Sequence, residues 1–265
     1  MRIEEYYCKT ALSPSTLPGL DYSLNPYIGC QHNCAYCYGP NILHINRNQW
    51  GSAIKIKKNI PTLLAKELKK KPRGIVGLST VTDPYQPVEE KHKLTRFCLE
   101  QLLKYDFPLC IQTKSSLLKR DLSLLKQFST IELLISIGTL NDTERQVLEP
   151  YSASIPDRLS LIKTCNNKGV ETSVFFGPIY PTISLYDISA IIDTFVDHGA
   201  QKIFIDTFHF KPGILTNLQN KNQFSKQLQD SFSNMETVTN TYYKKLQKEL
   251  HTIGRERKIK IINAF

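Results

Sequence analysis

No stretch of this sequence approaches the ~18 uninterrupted apolar residues that a membrane-spanning helix requires. The opening MRIEEYYCKT lacks the basic segment followed by an apolar run that marks a secretory signal. An even set of cysteines is missing too: there are seven, and an odd number without an export signal does not make a disulfide framework. These absences predict a cytoplasmic protein with reduced thiols and no membrane contact. No internal repeat and no convincing linker are visible. At 265 residues and 41% apolar, the chain is long enough for one large domain or two small ones. Acidic charge is in deficit, 34 Lys and Arg standing against 24 Asp and Glu for a net +10. That balance suits an anionic partner such as nucleic acid, or equally a solvated basic surface.

From residue 74 onward a beat repeats. GIVGL (74–78), PLCIQ (108–112), IELLISI (131–137), VETSVFF (170–176) and KIFID (202–206) are apolar runs of strand length. Helical spacing fills the gaps. Leu94, Cys98 and Leu102 share a face, with Leu99 and Leu103 alongside; Leu159 and Ile162 mark a second helix closed by Gly169. Ile188, Ile191, Ile192 and Phe195 mark a third, opened by a capping box at Ser184 and Asp187 and closed by Gly199. LSLLKQF supplies another amphipathic stretch between the strands near 111 and 134. Such alternation predicts an α/β fold with a parallel sheet covered by helices. A short strand before Cys30 and the helix IPTLLAKEL bring the total to about six βα units, too few for a closed eightfold barrel. Beyond Gly213 the stretch LTNLQNKNQFSKQLQDSFSN is rich in Asn, Gln and Ser, then TYYKKLQKEL reads as helix and KIKII as a last strand. We read residues 1–213 as the core and 214–265 as a C-terminal extension packed on the same domain.

Cys30, Cys34 and Cys37 crowd into NPYIGCQHNCAYCYGP with no fourth cysteine nearby. A structural zinc wants four ligands, and His32 between the first two cysteines offers a candidate. A [4Fe–4S] cluster ordinarily takes four thiolates, so three would leave one iron open to an outside ligand. Both readings stay open on spacing alone.

Six ordered blocks extend the pattern: SLNPYIGCQHNCAYCY, TVTDPYQPVE, LTRFCLEQLL, IQTKSSLLKRDLSLL, ISIGTLND and FFGPIYP. With Tyr36 in the aromatic place of C-x-x-x-C-x-aromatic-C, the chain resembles the radical S-adenosylmethionine (SAM) enzymes, in their spore-photoproduct-lyase-like branch, over residues 12 to 213. The resemblance implies a partial (β/α)6 barrel whose cluster loop follows the first strand. It implies a [4Fe–4S] cluster on Cys30, Cys34 and Cys37, and SAM bound at the open iron and cleaved to methionine and a 5′-deoxyadenosyl radical. Tyr36 would then lie against the adenine, Lys114 near the methionine carboxylate, and Thr82, Asp83 and Ser136 around the same ligand, with Tyr38 as a catalytic side chain. A flavodoxin- or ferredoxin-like one-electron reductant would be the partner. The polar residues of these blocks follow strand ends, where parallel α/β folds gather ligands.

One position departs from the lyases, which carry a hydrogen-donating cysteine shortly after the second strand. Thr80 stands there, and no cysteine occurs between Gly74 and Cys98. A hydroxyl O–H bond is much too strong to serve as that donor, so the resemblance carries radical generation but not photoproduct reversal. The substrate stays open between nucleic acid and a protein or small molecule. NTYYKKLQKEL, with aromatics beside lysines, hints at the former. A non-catalytic iron–sulfur protein, binding nucleic acid or sensing redox state, is the alternative. Cys8, Cys98, Cys110 and Cys165 read as small hydrophobes. His209 reads either as facing a substrate or as a satisfied structural histidine.

Overall fold

A computed structural model describes residues 1–209, 211–219, 226–233 and 235–264. Part of the Asn- and Gln-rich stretch, 220–225 and 234, lies outside the described residues. The N-terminal third opens with β1 (Arg2–Tyr6), β2 (Leu12–Pro14), β3 (Tyr22–Leu24) and β4 (Tyr27–Ile28). It continues with α1 (Gly39–Leu43), β5 (Ala53–Lys57), α2 (Ile60–Glu67) and β6 (Val76–Leu78). Next come α3 (Val88–His92), α4 (Leu94–Lys104), β7 (Leu109–Thr113), α5 (Leu122–Leu125), β8 (Ile131–Ser136), α6 (Asp142–Leu148) and α7 (Ile155–Asn167). The chain ends with β9 (Ser173–Phe176), α8 (Ile188–Asp197), β10 (Lys202–Ile205), α9 (Ile214–Gln219), α10 (Lys226–Ser233), α11 (Met235–Glu256) and β11 (Lys260–Asn263). Among the described residues no helix is long and apolar enough to cross a membrane.

The main sheet has the order β11-β10-β9-β8-β7-β6-β3-β2. Every neighbouring pair in it is parallel except β2 with β3. The six parallel strands β3, β6, β7, β8, β9 and β10 match the six expected βα units, and KIKII adds β11 as a further parallel strand. Among the described residues the edge strands β11 and β2 do not pair with each other, so the barrel is partial. All residues of β6 and β9 are buried, so these two strands are apolar without alternation, whereas burial alternates along β7 and β10. Helix α4 seats Cys98, Leu99 and Leu102 in this core, the face anticipated from its spacing.

Several boundaries move for local reasons. The strand expected from residue 170 begins only at Ser173, because Val170 N–H turns back to the Cys165 carbonyl at 3.0 Å after Gly169 adopts φ +77°. Ser184 caps a short 3-10 turn over Leu185–Asp187, accepting from Tyr186 N–H, and α8 starts one turn later than the capping box suggested. LSLLKQF yields only the four-residue α5, entered through a 3-10 turn over Ser116–Asp121. The strand expected before Cys30 proves to be two. Pro26, with no N–H to donate, separates β3 in the main sheet from β4, which pairs with β5 in a small sheet that also holds β1.

This core makes a direct prediction. Ile135 is fully buried in β8, between Thr113 of β7 and Val174 of β9. Ile135→Ala should cost about 2–5 kcal/mol, whereas Tyr186→Ala, at a residue 97% exposed, should stay within about 0.5 kcal/mol. Urea unfolding of both variants checks this, and equal midpoints would contradict the assigned burial.

Candidate radical-chemistry site

The three cysteines lie on the loop leaving β3 and β4, at the C-terminal end of the parallel strands. Gly29 enters that loop at φ +89°, and a Cβ there would sit 2.6 Å from the Ala53 carbonyl oxygen, so no larger residue fits. The loop is tied down almost residue by residue. Gln31 N–H donates to the Gln86 side chain at 2.9 Å, and Gln86 donates back to the Gly29 carbonyl at 3.2 Å. Ala35 N–H donates to the Leu148 carbonyl at 2.8 Å, while Asn217 on α9 donates to the Ala35 carbonyl at 2.6 Å. Arg47 donates to the Cys37 carbonyl at 2.8 Å, and Gly39 N–H to the Cys37 sulfur at 3.3 Å. Cys30 is buried, and Cys34 and Cys37 are half-buried.

Burial pushes all three thiols up. Asp83 adds to this at Cys30; at Cys34 Lys114 opposes it and Glu149 adds to it, and at Cys37 the Gly39 N–H and then Lys114 oppose it. The loop by itself therefore favours neutral thiols, the form from which a metal, when bound, displaces the proton. His32, between the first two cysteines, turns its Nδ1 to Asp83 at 3.3 Å. Among the described residues no group of three His, Cys, Asp or Glu stands close enough to hold a single metal ion.

Asp83 follows β6. Its carboxylate accepts from Tyr85 N–H at 2.8 Å, the Thr113 hydroxyl at 2.7 Å and Lys114 N–H at 2.8 Å. Burial works to raise this carboxyl, but His32 and those donors outweigh it and hold it down at about 2. Its oxygens are thus engaged within the protein, bracing the end of β7 against the cysteine loop. On the other side, Tyr36 donates its phenol to the buried Glu149, and its ring meets Phe208 edge-on at 5.5 Å and Tyr180 at 6.2 Å. The Lys114 ammonium stands 5.8 Å from the Tyr36 ring centroid. Burial opposes its charge, yet the Glu149 carboxylate outweighs that and keeps it protonated. The Ser136 hydroxyl, fully buried, donates to the Gly177 carbonyl at 3.3 Å. Thr82 Oγ1 and Ser79 Oγ are buried and have no hydrogen-bond partner among the described residues.

Tyr38 stands nearer the surface. It is 42% exposed, and its hydroxyl donates to the Thr80 carbonyl at 2.6 Å. The Thr80 hydroxyl donates to Ser23 at 3.2 Å and accepts from Asn25 at 3.4 Å. His209 pairs with Asp206 at 2.8 Å, which raises the imidazole above its ordinary value.

Residues 24–195 match the radical SAM superfamily. The chain belongs to that superfamily. An uncharacterised protein of Methanocaldococcus jannaschii is 32% identical over 252 residues, 94% of this chain and 92% of the relative. A radical SAM Nα-GlyT isomerase of Pseudomonas phage M6 is 26% identical over 61% of this chain, which spans 34% of that protein. Among solved structures, a spore photoproduct lyase variant superposes with a TM-score of 0.77 at 13% identity, covering 99% of this chain and 82% of the lyase.

The protein is accordingly a radical SAM enzyme with the fold of spore photoproduct lyase, and its superfamily works with a [4Fe–4S] cluster and SAM. The site fits both groups. Three thiols on one tethered loop leave a coordination position free, and Thr82 presents a hydroxyl that costs about 1–3 kcal/mol when buried unpaired, a cost that a polar ligand removes. Of the residues read from sequence, Cys30, Cys34, Cys37, Tyr36 and Lys114 converge on one end of the sheet. Asp83 lies beneath them as a brace, and Ser136 turns its hydroxyl to Gly177. Sequence reasoning missed Glu149 and Arg158, because the acid of LEPYSASIPDRL lies between two helices and meets its base and Tyr36 only in the fold. Asp83→Ala should leave His32 and Lys114 N–H without their acceptor and lower stability by about 3–5 kcal/mol. A urea midpoint unchanged from wild type would show that the brace carries nothing.

Proposed function

We propose that Cys30, Cys34 and Cys37 hold the [4Fe–4S] cluster and that SAM binds beside them, with Tyr36 against its adenine and Lys114 and Thr82 about its methionine moiety. Bound there, the reduced cluster and SAM supply a 5′-deoxyadenosyl radical for hydrogen abstraction. The observation that carries this reading is the placement of the Lys114 ammonium 5.8 Å from the Tyr36 ring, on the loop that bears the thiols. Ser136 and Asp83 shape the pocket from behind, through the Gly177 carbonyl and the Lys114 N–H respectively. A flavodoxin- or ferredoxin-like protein delivers the electron, as superfamily members generally need an external one-electron reductant. Tyr38, exposed at the mouth, is the catalytic side chain that meets the substrate. The substrate is not spore photoproduct, because Thr80 offers an O–H held by Ser23 where a thiol donor is needed.

After anaerobic reconstitution the protein should hold iron and sulfide, and dithionite with SAM should release 5′-deoxyadenosine and methionine. Lys114→Ala should weaken SAM binding about tenfold or more while leaving iron content unchanged. No 5′-deoxyadenosine from fully reconstituted, reduced protein, or an intact cluster in the triple Cys→Ala variant, sinks the proposal.

A nucleic-acid substrate is the second reading, favoured by the net charge of +10 and by the exposed Tyr38 available for stacking. Affinity for single- or double-stranded DNA or RNA should then fall by roughly a thousandfold between about 50 and 200 mM salt if six or more phosphates are neutralised. Negligible binding at low salt eliminates it.

A further inference from the structure

Arg158, in the second turn of α7, is fully buried, and so is Glu149 at the end of α6. The arginine donates to Glu149, to the Ser152 hydroxyl, to the Ala153 carbonyl at 3.0 Å and to the Ser136 carbonyl at 2.8 Å. Glu149 accepts from Arg158, from Tyr36, and from Ser152 at 3.1 Å. The backbone of the same segment adds two ties: Leu148 accepts from Ala35 N–H at 2.8 Å, and Ala153 N–H donates to the Lys114 carbonyl at 3.0 Å. Residues 148–158 therefore touch the cysteine loop twice, the end of β7 once and the end of β8 once. Those contacts fall on Ala35, Tyr36, Lys114 and Ser136, so three of the four are positions assigned above to the SAM pocket.

A buried ion pair is a poor stabiliser, since desolvation offsets most of the attraction and apolar replacements of equal volume often do as well. It is a good positioner. A planar guanidinium fixes its acceptors in direction as well as distance, and a carboxylate gripped by it can hold a phenol at one angle. We propose that Glu149 and Arg158 are positioning residues for SAM: through the Tyr36 hydroxyl they set the ring that receives the adenine, and through charge they aim Lys114. The inference rests on the SAM pocket proposed above and extends it to two side chains with no direct place in it. Tyr36 is the point of transmission. A phenylalanine there would fill the same space without being held by Glu149.

The test uses the full chain, reconstituted anaerobically, with three readouts: iron and sulfide content, thermal midpoint, and SAM affinity by equilibrium dialysis. Glu149→Gln keeps the shape but removes the charge acting on Lys114 and replaces the charge-assisted acceptor of the Tyr36 phenol by a weaker neutral one. It should weaken SAM binding by about tenfold or more, in the range found for partners that orient ligand-bearing side chains, with wild-type iron content. Tyr36→Phe should weaken binding by about threefold or more, and the double variant should be no worse than Glu149→Gln, because both remove one coupled unit. Arg158→Lys should weaken SAM binding more than Glu149→Asp, as both keep the charge pair but only the second keeps the guanidinium fork. Should Glu149→Gln fail to fold, Tyr36→Phe decides alone, since it leaves the ion pair intact. Wild-type SAM affinity in Glu149→Gln or Tyr36→Phe, or independent additive losses in the pair, overturns the inference while leaving the SAM pocket standing. Wild-type protein that binds a cluster but no SAM overturns the pocket and this inference with it.

Discussion

Asp83 holds the mouth of the sheet in register. Its carboxylate joins three segments far apart in sequence: His32 of the cysteine loop, Tyr85 N–H in its own loop, and Thr113 with Lys114 N–H at the end of β7. Removing a carboxylate from water costs several kcal/mol, which only such a full set of donors offsets. Where they are met, the geometry is nearly rigid. Glu149 does the same on the opposite flank through Tyr36 and Arg158, and it too is held at about 2, burial being outweighed by Arg158 and Lys114. The cysteine loop is thus pinned between two permanent negative charges, with the Lys114 ammonium beside the Tyr36 ring.

That arrangement solves a problem inherent in the loop. Thiols, glycines and a proline give it little apolar surface of its own to bury, and its backbone has no strand or helix ladder to occupy its polar groups. Side chains and loops from elsewhere take that role: Gln86 takes two of its backbone groups, and Arg47, Asn217 and the Leu148 carbonyl take one each. The C-terminal region contributes in the same way, Tyr243 donating to the Ile179 carbonyl at 2.8 Å and Tyr242 to the Ile183 carbonyl at 2.6 Å. Phe232 of α10 stacks edge-on against Phe208 at 5.3 Å, and Phe208 in turn against Tyr36. Residues beyond 213 therefore support the site's loops as well as adding β11 to the sheet.

The sequence made the local features readable. Continuous apolar runs marked the strands, α4 declared its buried face, and the spacing of three cysteines beside Tyr36 marked the loop that matters. What it hid were pairings across distance. Nothing in TVTDPYQ indicates that Asp83 accepts from a threonine 30 positions later, so the aspartate read as a ligand contact when its oxygens are occupied inside the protein. Glu149 meets Tyr36 across 113 positions, and its neighbours carry no periodic signal, lying between two helices. The small sheet was legible in part: AIKIK alternates cleanly, with Ile54 and Ile56 buried, but a strand of five residues outside the βα beat is easily passed over. The Ser184 capping box failed for a different reason, since a 3-10 turn satisfies the same hydroxyl one residue earlier.

The long reach of these ties bears on the order in which the chain is made. The cysteine loop is complete at residue 37, whereas Arg158 follows 121 residues later (158 minus 37). At translation rates of about 5–20 residues per second, that interval is on the order of ten seconds. Asp83, the β7 and β8 ends and Glu149 emerge one after another within it, and Arg158 only at its close, so until then the nascent loop lacks its finished surroundings and is open to oxidation and to stray metal. Cluster loading into the finished geometry is therefore an event of the released or nearly complete chain.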